Sequence, residues 1–431
     1  MRPSTVLARG IAITAAAASV IVLASCAGAG DDSNGTELKY QSWRLADPGV
    51  IGELHNAWVE EYNESQDDVT VVGEEVPFDK KGDVLLNQIL AGSPPDVVAV
   101  STADVPQYAE YMLPLDDFYA EEGADFEDGF IEGARELVRW DDTYYGVAME
   151  MGPVDGLYYN KDVLAKAGVD PEQAVESWSS FSDALAAIEA ADPSYNGMVM
   201  AGSDSSRIDY FWAWYYGAGA GLGTEDDLRE KLCSPEGVQT FEYLTDAFVR
   251  NGSGPSPVDI GFEEYTNTFA AGNTGFAQGG AWMHSLFVDA NPDLDGKLGV
   301  THLPPMTPGG DPGVILDAVA LMIPKDAANP EAAWDFITYL TSPEKQLQDA
   351  LEAGFLPTIA SVADAPELAE QERLAYYAKL AVDYGFPRPR TTHLAEVKQA
   401  MWEQWQSALL GEKPAKDAAE AACAAVDTAL G

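Results

Sequence analysis

Over the first hundred residues the spacing of apolar positions switches back and forth between two periods. Glu37–Arg44 (ELKYQSWR) alternates in the manner of a strand. Ile51, Leu54, Trp58 and Tyr62 then mark one stripe of a helix over Ile51–Tyr62. Val69–Val76 is short and β-branched, a second strand, and Val84–Ala91 returns to helical spacing before Gly92. Asp96–Val100, behind Pro94-Pro95, is the apolar run of a buried strand. The order β-α-β-α-β predicts an α/β fold with a mainly parallel sheet and helices on its faces.

Further along, Tyr144–Asn160 reads as extended chain crossing the molecule, and Leu164–Ala167 as a short helix stopped by Gly168. Helices are predicted over Phe181–Ala190, Pro235–Arg250, Pro330–Leu340, Leu394–Gly411 and Ala415–Leu430, and a strand over Val314–Ile323. Arg207–Tyr216 is unusually aromatic. Helical spacing spreads its rings around the axis, so Trp212, Trp214, Tyr215 and Tyr216 are expected to include one or two that face a cleft rather than the core. At 431 residues the chain is too long for one ordinary core. It shows no internal repeat of 20–50 residues.

The N-terminus reads as a secretory signal over residues 1–25: Arg2 and Arg9, an apolar run from Ile11 to Leu23, then Leu23-Ala24-Ser25-Cys26. That last tetrad resembles the bacterial lipoprotein box, which implies lipidation of Cys26. Residues 26–36 (CAGAGDDSNGT) then form a flexible tether that holds the mature chain on the outer face of the cell membrane. With Cys26 lipidated, Cys233 and Cys423 remain. They could pair as a disulfide in that oxidising compartment or stay as two buried thiols. The four His are scattered without metal-ligand spacing, so neither metal nor cofactor is expected.

The chain carries 71 acidic against 24 basic residues, a net charge of -47. This excludes a nucleic-acid backbone as partner and a polybasic grip on lipid. With 46% hydrophobic residues the chain is not disordered. No Gly-x-Ser-x-Gly, His-Glu-x-x-His or phosphate loop is present, so no enzyme is expected.

Several segments together carry a resemblance. They are Leu90-Ala91-Gly92-Ser93-Pro94-Pro95-Asp96-Val97-Val98, Leu113-Pro114-Leu115-Asp116-Asp117, Tyr145-Gly146-Val147-Ala148 with Glu150-Met151-Gly152-Pro153, and Leu157-Tyr158-Tyr159-Asn160-Lys161-Asp162. Further on come Phe269-Ala270-Ala271-Gly272 through Gly280-Ala281-Trp282, Ile323-Pro324-Lys325 with Ala332-Ala333-Trp334-Asp335-Phe336-Ile337, Phe355-Leu356-Pro357-Thr358, and Arg388-Pro389. In this order the segments resemble the extracellular solute-binding lipoproteins of ATP-binding-cassette sugar importers, the maltose- and multiple-sugar-binding family. Asp317-Ala318 departs from the paired glycines many members have there.

The resemblance implies a two-lobed periplasmic-binding-protein-like fold with discontinuous lobes and a ligand cleft between them. Residues 37–150 and 306–360 would form one lobe, and residues 151–305 and 361–431 the other. It also implies a monomer that closes on a carbohydrate and docks on permease subunits of the importer.

A pyranose has flat C–H faces and a rim of hydroxyls, so its binder needs aromatic platforms and hydrogen-bonding side chains. The candidates are Trp43 and Arg44 at the end of the first strand, and Ser101 and Asp104 after the Asp96–Val100 strand. Both sets stand at the carboxyl edge where open α/β sheets bind ligands. Glu150 is a lone carboxylate among apolar neighbours, and Asp317 is another. Gly280 and Trp282 lie in a glycine-rich loop; Arg388 sits between prolines. Two other ligand or activity classes stay open: a cationic solute such as a polyamine or betaine held by carboxylates, and a secreted glycosidase with opposed acids.

Overall fold

The first strand, β1 (Thr36–Ser42), buries Leu38 and Tyr40 and turns Glu37 and Lys39 to solvent, the period-2 pattern of its sequence. The computed structural model describes residues 35–153, 155–246 and 254–431. The signal, Cys26 and most of the tether lie outside the described residues, as does the end of the helix expected to reach Arg250.

β1 pairs in parallel with β2 (Val69–Glu75) on one side and β3 (Val97–Ser101) on the other. The helix Val50–Ser65 covers them with Ile51, Leu54, Trp58 and Tyr62, the stripe read from the sequence. A small hairpin follows, β4 (Arg139–Trp140) with β5 (Thr143–Tyr144). The expected extended crossing is two strands, β6 (Val147–Pro153) and β7 (Gly156–Asn160), which belong to different sheets.

β7 joins β8 (Asn196–Val199), β9 (Thr274–Gly279) and β10 (Leu298–Thr301) in a four-stranded sheet of order β10-β7-β9-β8. β11 (Val314–Met322) returns to the first sheet, antiparallel to both β3 and β6. β12 (Gly385–Pro387) lies parallel beside the start of β11. The sheet is therefore parallel over β1, β2 and β3 and again between β11 and β12, and antiparallel where β11 meets β3 and β6. β6 and β11 are antiparallel because each carries the chain between the two sheets.

Two apolar clusters form the interior, one built on Leu38, Trp58 and Ile337 and reaching Tyr158 and Ala277 of the second sheet, the other on Phe181, Phe211 and Trp405. At the junction, the buried Asp155 accepts from Gln278 Nε2 of β9 at 2.6 Å and from Ile315 N of β11 at 3.1 Å, tying the sheets together. Burial pushes its carboxyl up to about 7, against the pull of those two donors.

Cys233 and Cys423 are both free thiols in the structure, with no S–S bond. The Cys423 thiol is raised by burial and by the neighbouring Cys233 thiol. Among the described residues no helix is long and apolar enough to cross a membrane.

Candidate solute-binding cleft

The carboxyl ends of β1 and β3, the middle of β11 and, opposite them, the turn Ser205–Tyr210 with Phe262, Trp282 and Leu286 surround one cleft. It encloses about 890 Å³ of non-atom space, part of it open to solvent. After β1 the chain tightens into a short 3-10 turn, Trp43–Ala46, with Ser42 Oγ accepting from Arg44 N at 3.1 Å. That turn, not the strand itself, aims Trp43 and Arg44 into the cleft. Arg44 donates from Nε to Glu150 Oε1 at 2.7 Å and from Nη1 to Asp47 Oδ2 at 2.8 Å. Its guanidinium lies 4.2 Å over the Phe355 ring, and Phe355 stacks on Trp282 at 5.2 Å and 19°.

A second charged group sits across from it. Asp317 accepts from Ser101 Oγ at 2.9 Å and from Thr102 Oγ1 at 2.7 Å. β12 ends where it pairs with Leu316, so the next residue, Arg388, falls beside Asp317. Its Nη1 is 3.1 Å from Asp317 Oδ2 and 3.3 Å from both Asp209 Oδ2 and Ser101 Oγ. Asp209 also takes Lys398 Nζ at 3.3 Å and Trp212 Nε1 at 3.2 Å. Burial raises the Asp209 carboxyl, but Arg388, Lys398 and Lys81 together outweigh it and hold the group at about 2. Burial lowers Lys81 to about 8 despite Asp104 nearby.

On the remaining walls, Arg207 lies 5.8 Å from the Phe78 ring and 5.6 Å from Phe262, with Nε 3.4 Å from Asp204 Oδ2. Tyr210, Ser206, Ile51 and Leu286 add to the lining, with Gly152, Ala318 and Val319 on its floor strands β6 and β11. Aromatic faces thus alternate with fixed donors and acceptors around a concave space, an arrangement that can hold a polyhydroxylated solute by stacking and hydrogen bonds. The cleft is made largely of side chains already paired with one another.

The sequence profile of bacterial extracellular solute-binding proteins matches residues 51–347, more than half of the chain. The chain belongs to that family. It is 25% identical over 368 residues to an arabinooligosaccharide-binding protein of Bacillus subtilis (strain 168), covering 83% of this chain and 82% of that one. It is 23% identical over 375 residues to a maltotriose-binding protein of Pyrococcus abyssi, covering 85% and 76%.

Among solved structures, a solute-binding protein from Thermotoga lettingae bound with alpha-D-tagatose superposes with a TM-score of 0.82 at 24% identity, over 92% of this chain and all of that one. Maltose-bound T. maritima MalE3 gives 0.80 at 23% identity, over 91% and 100%. These likenesses establish the α/β solute-binding fold, and the family is one of binding proteins rather than enzymes.

Of the residues expected to reach ligand, the solute-binding protein brings Trp43, Arg44, Ser101, Glu150, Trp282, Asp317 and Arg388 to the cleft wall. Gly280 lies behind it. A Cβ there would stand 1.9 Å from Cζ3 of Trp282, so glycine makes room for the indole. Asp104 does not line the cleft; it sits half-buried in the turn after β3, where its charge acts on Lys81, Arg388 and Lys398.

Trp212, Trp214 and Tyr215 are the correction. All three are fully buried in the second apolar cluster, and Trp214 Nε1 donates to Gln278 Oε1 at 2.9 Å. Phe211 through Tyr215 are all buried because β9, the helix Trp178–Ala191 and the helix Leu394–Leu409 pack around them; Tyr216, half-buried, stacks on Phe386 at 4.2 Å and is not part of the cleft lining.

Cleft residues that sequence reasoning missed include Phe78, Arg207, Asp209, Tyr210, Phe262 and Phe355. Arg207, Asp209 and Tyr210 stand at the N-terminal end of the same aromatic run, in the 3-10 turn Ser205–Tyr210 that precedes the buried helix. Phe355 lies in the Phe-Leu-Pro-Thr segment that carried the resemblance, and Phe78 gave no signal beyond its position after β2.

Proposed function

We propose that this chain is the substrate-binding component of an ATP-binding-cassette importer. It captures an extracellular carbohydrate between two lobes, residues 37–150 with 306–360 and residues 151–305 with 361–431, and delivers it to the permease. The chain is lipidated at Cys26, tethered through residues 26–36 to the outer face of the membrane, and monomeric. The observation that carries this reading is the lining: Trp43, Trp282, Phe355, Phe78 and Phe262 offer ring faces, while Arg44, Glu150, Asp209, Asp317 and Arg388 offer donors and acceptors fixed by mutual pairing. Relatives named for arabino- and malto-oligosaccharides support the sugar class.

A cationic solute fits less well. It needs carboxylate oxygens free on the cleft wall, yet Arg44 occupies Glu150 Oε1 and leaves only Oε2, on the buried His55 side, while Arg388 lies between Asp317 and Asp209.

The test is titration calorimetry of the purified chain against mono-, arabino- and malto-oligosaccharides, with putrescine and glycine betaine as controls. Small-angle scattering read in parallel follows closure. Saturable binding of a sugar with compaction supports the proposal. Binding of the cations alone, or of none of the panel, overturns it.

A further inference from the structure

Behind the Arg44 wall lies a group that sugar capture does not use. His55 comes from the helix Val50–Ser65, Glu150 from β6 and Asp349 from the helix Pro343–Glu352. They are only 1%, 2% and 3% exposed. His55 Nε2 is 3.5 Å from Asp349 Oδ1 and 3.9 Å from Glu150 Oε2, and one ligand atom from each residue falls within 4.8 Å of the others. Both ring nitrogens of His55, Glu150 Oε2 and Asp349 Oδ1 are buried without a hydrogen-bond partner among the described residues. Three of these atoms, one from each residue, converge on one buried point, and leaving them unsatisfied there is costly unless something fills it.

The charges ask for the same occupant. Arg44 contributes +1 and Asp47, Glu150 and Asp349 contribute -1 each. With His55 neutral the ionised group sums to -2. Arg44 is engaged with Glu150 Oε1 and Asp47, so it does not serve the open atoms.

We propose that His55 Nε2, Glu150 Oε2 and Asp349 Oδ1 form a binding site for a divalent transition metal of the zinc class. Metal–ligand bonds of about 2.0–2.1 Å in a tetrahedron put ligand atoms about 3.4 Å apart, close to the 3.5 and 3.9 Å separations here. One imidazole and two carboxylates are donors such an ion accepts, and its +2 charge cancels the -2. A single shared proton would cancel one charge and leave His55 unpartnered. Because Glu150 lines the cleft, the ion enters from there. Once bound it holds one Glu150 oxygen and leaves the other to Arg44, which makes the metal a positioning element for a cleft residue.

The test uses the whole chain, stripped with EDTA and titrated with Zn²⁺ by calorimetry and with Co²⁺ by visible absorption. One tight equivalent per chain and the d–d bands of tetrahedral Co²⁺ are expected. His55→Gln and Asp349→Asn, each confirmed folded by circular dichroism, should weaken binding at least about tenfold. Absence of the tetrahedral bands in the parent overturns the site, and so does His55→Gln binding as tightly as the parent. Should either variant fail to fold, the parent's cobalt spectrum and the other variant decide. No carbohydrate enters the titration, so its outcome is independent of the sugar-binding proposal.

Discussion

Replacing Arg388 by Met tests whether the cleft is held by its own ion pairs. Arg388 is 7% exposed and meets Asp317, Asp209 and Ser101 within 3.3 Å, so the substitution removes three charge-assisted contacts and keeps most of the stem volume. Breaking a buried pair on one side costs about 3–5 kcal/mol, chiefly because the other charge is left uncompensated. Two features put this case at the lower end. Asp209 keeps Lys398 and Trp212, and Asp317 keeps two hydroxyl donors. The expected loss is therefore about 3 kcal/mol, read by urea unfolding followed through Trp fluorescence. Arg388→Met/Asp317→Asn removes the stranded charge as well and should recover about half of that loss. Sugar affinity should fall at least about tenfold in both variants, since a hydrogen bond to a charged group is worth about 1.5–3 kcal/mol. The reasoning is refuted if Arg388→Met unfolds within about 1 kcal/mol of the parent, or if the double variant is no more stable than the single one.

Gly280→Ala drives a methyl into the Trp282 ring. The ring must swing, at a cost of about 1–3 kcal/mol, and carbohydrate affinity measured by calorimetry should drop by about tenfold; unchanged affinity would show that the indole plays no part. Trp214→Phe strands Gln278 Oε1 and should cost about 1–3 kcal/mol in thermal or urea unfolding while leaving affinity within twofold. A large affinity loss there would return that helix to the cleft. For pH, the Asp209 carboxyl stands at about 2, below its ordinary 3.8, so its contribution is fully present above pH 3.8 and is lost as pH falls through 2. That amounts to about 2 kcal/mol. Asp209→Asn should flatten unfolding stability between pH 4 and 2, and an unflattened profile would place the acid sensitivity elsewhere.

The elements of the first hundred residues were legible because their burial follows simple patterns. Leu38 and Tyr40 alternate with exposed Glu37 and Lys39 on β1, the Ile51–Tyr62 stripe runs along one helix face, and β3, buried at all five positions, is an unbroken apolar run. The aromatic run failed for the opposite reason. A helix buried from Phe211 through Tyr215 has no amphipathic signal, and only tertiary packing tells Tyr210 in the turn from Trp214 in the core. Cleft acids and arginines could be read as isolated charges among apolar neighbours. Their pairing could not, because Arg44 with Glu150 and Ser101 with Asp317 are 106 and 216 residues apart. The His55, Glu150 and Asp349 cluster escaped for that reason too: spacing rules for metal ligands see local motifs, and these three meet only through the sheet.

Taken group by group, the charges at the cleft explain how a chain with a net charge of -47 can present a nearly neutral surface to a neutral solute. Arg388 and Lys398 answer Asp317 and Asp209. Arg207 answers Asp204, and Lys81 lies in the field of Asp104. The acidic excess lies outside these groups, so it does not select a cation for the cleft. One group fails to balance, Arg44 with Asp47, Glu150 and Asp349, and it is also the one with four unsatisfied buried atoms. A divalent ion there brings the whole cleft to neutrality. If the cobalt titration finds no ion, Glu150 or Asp349 must carry a proton at neutral pH, and sugar affinity should then change with pH near the range in which that proton leaves, about 7 to 8. With the ion bound, affinity should be flat across that range and should fall on adding EDTA. A single calorimetric series therefore separates the two accounts, one giving an affinity that varies with pH and ignores EDTA, the other a flat affinity that EDTA lowers.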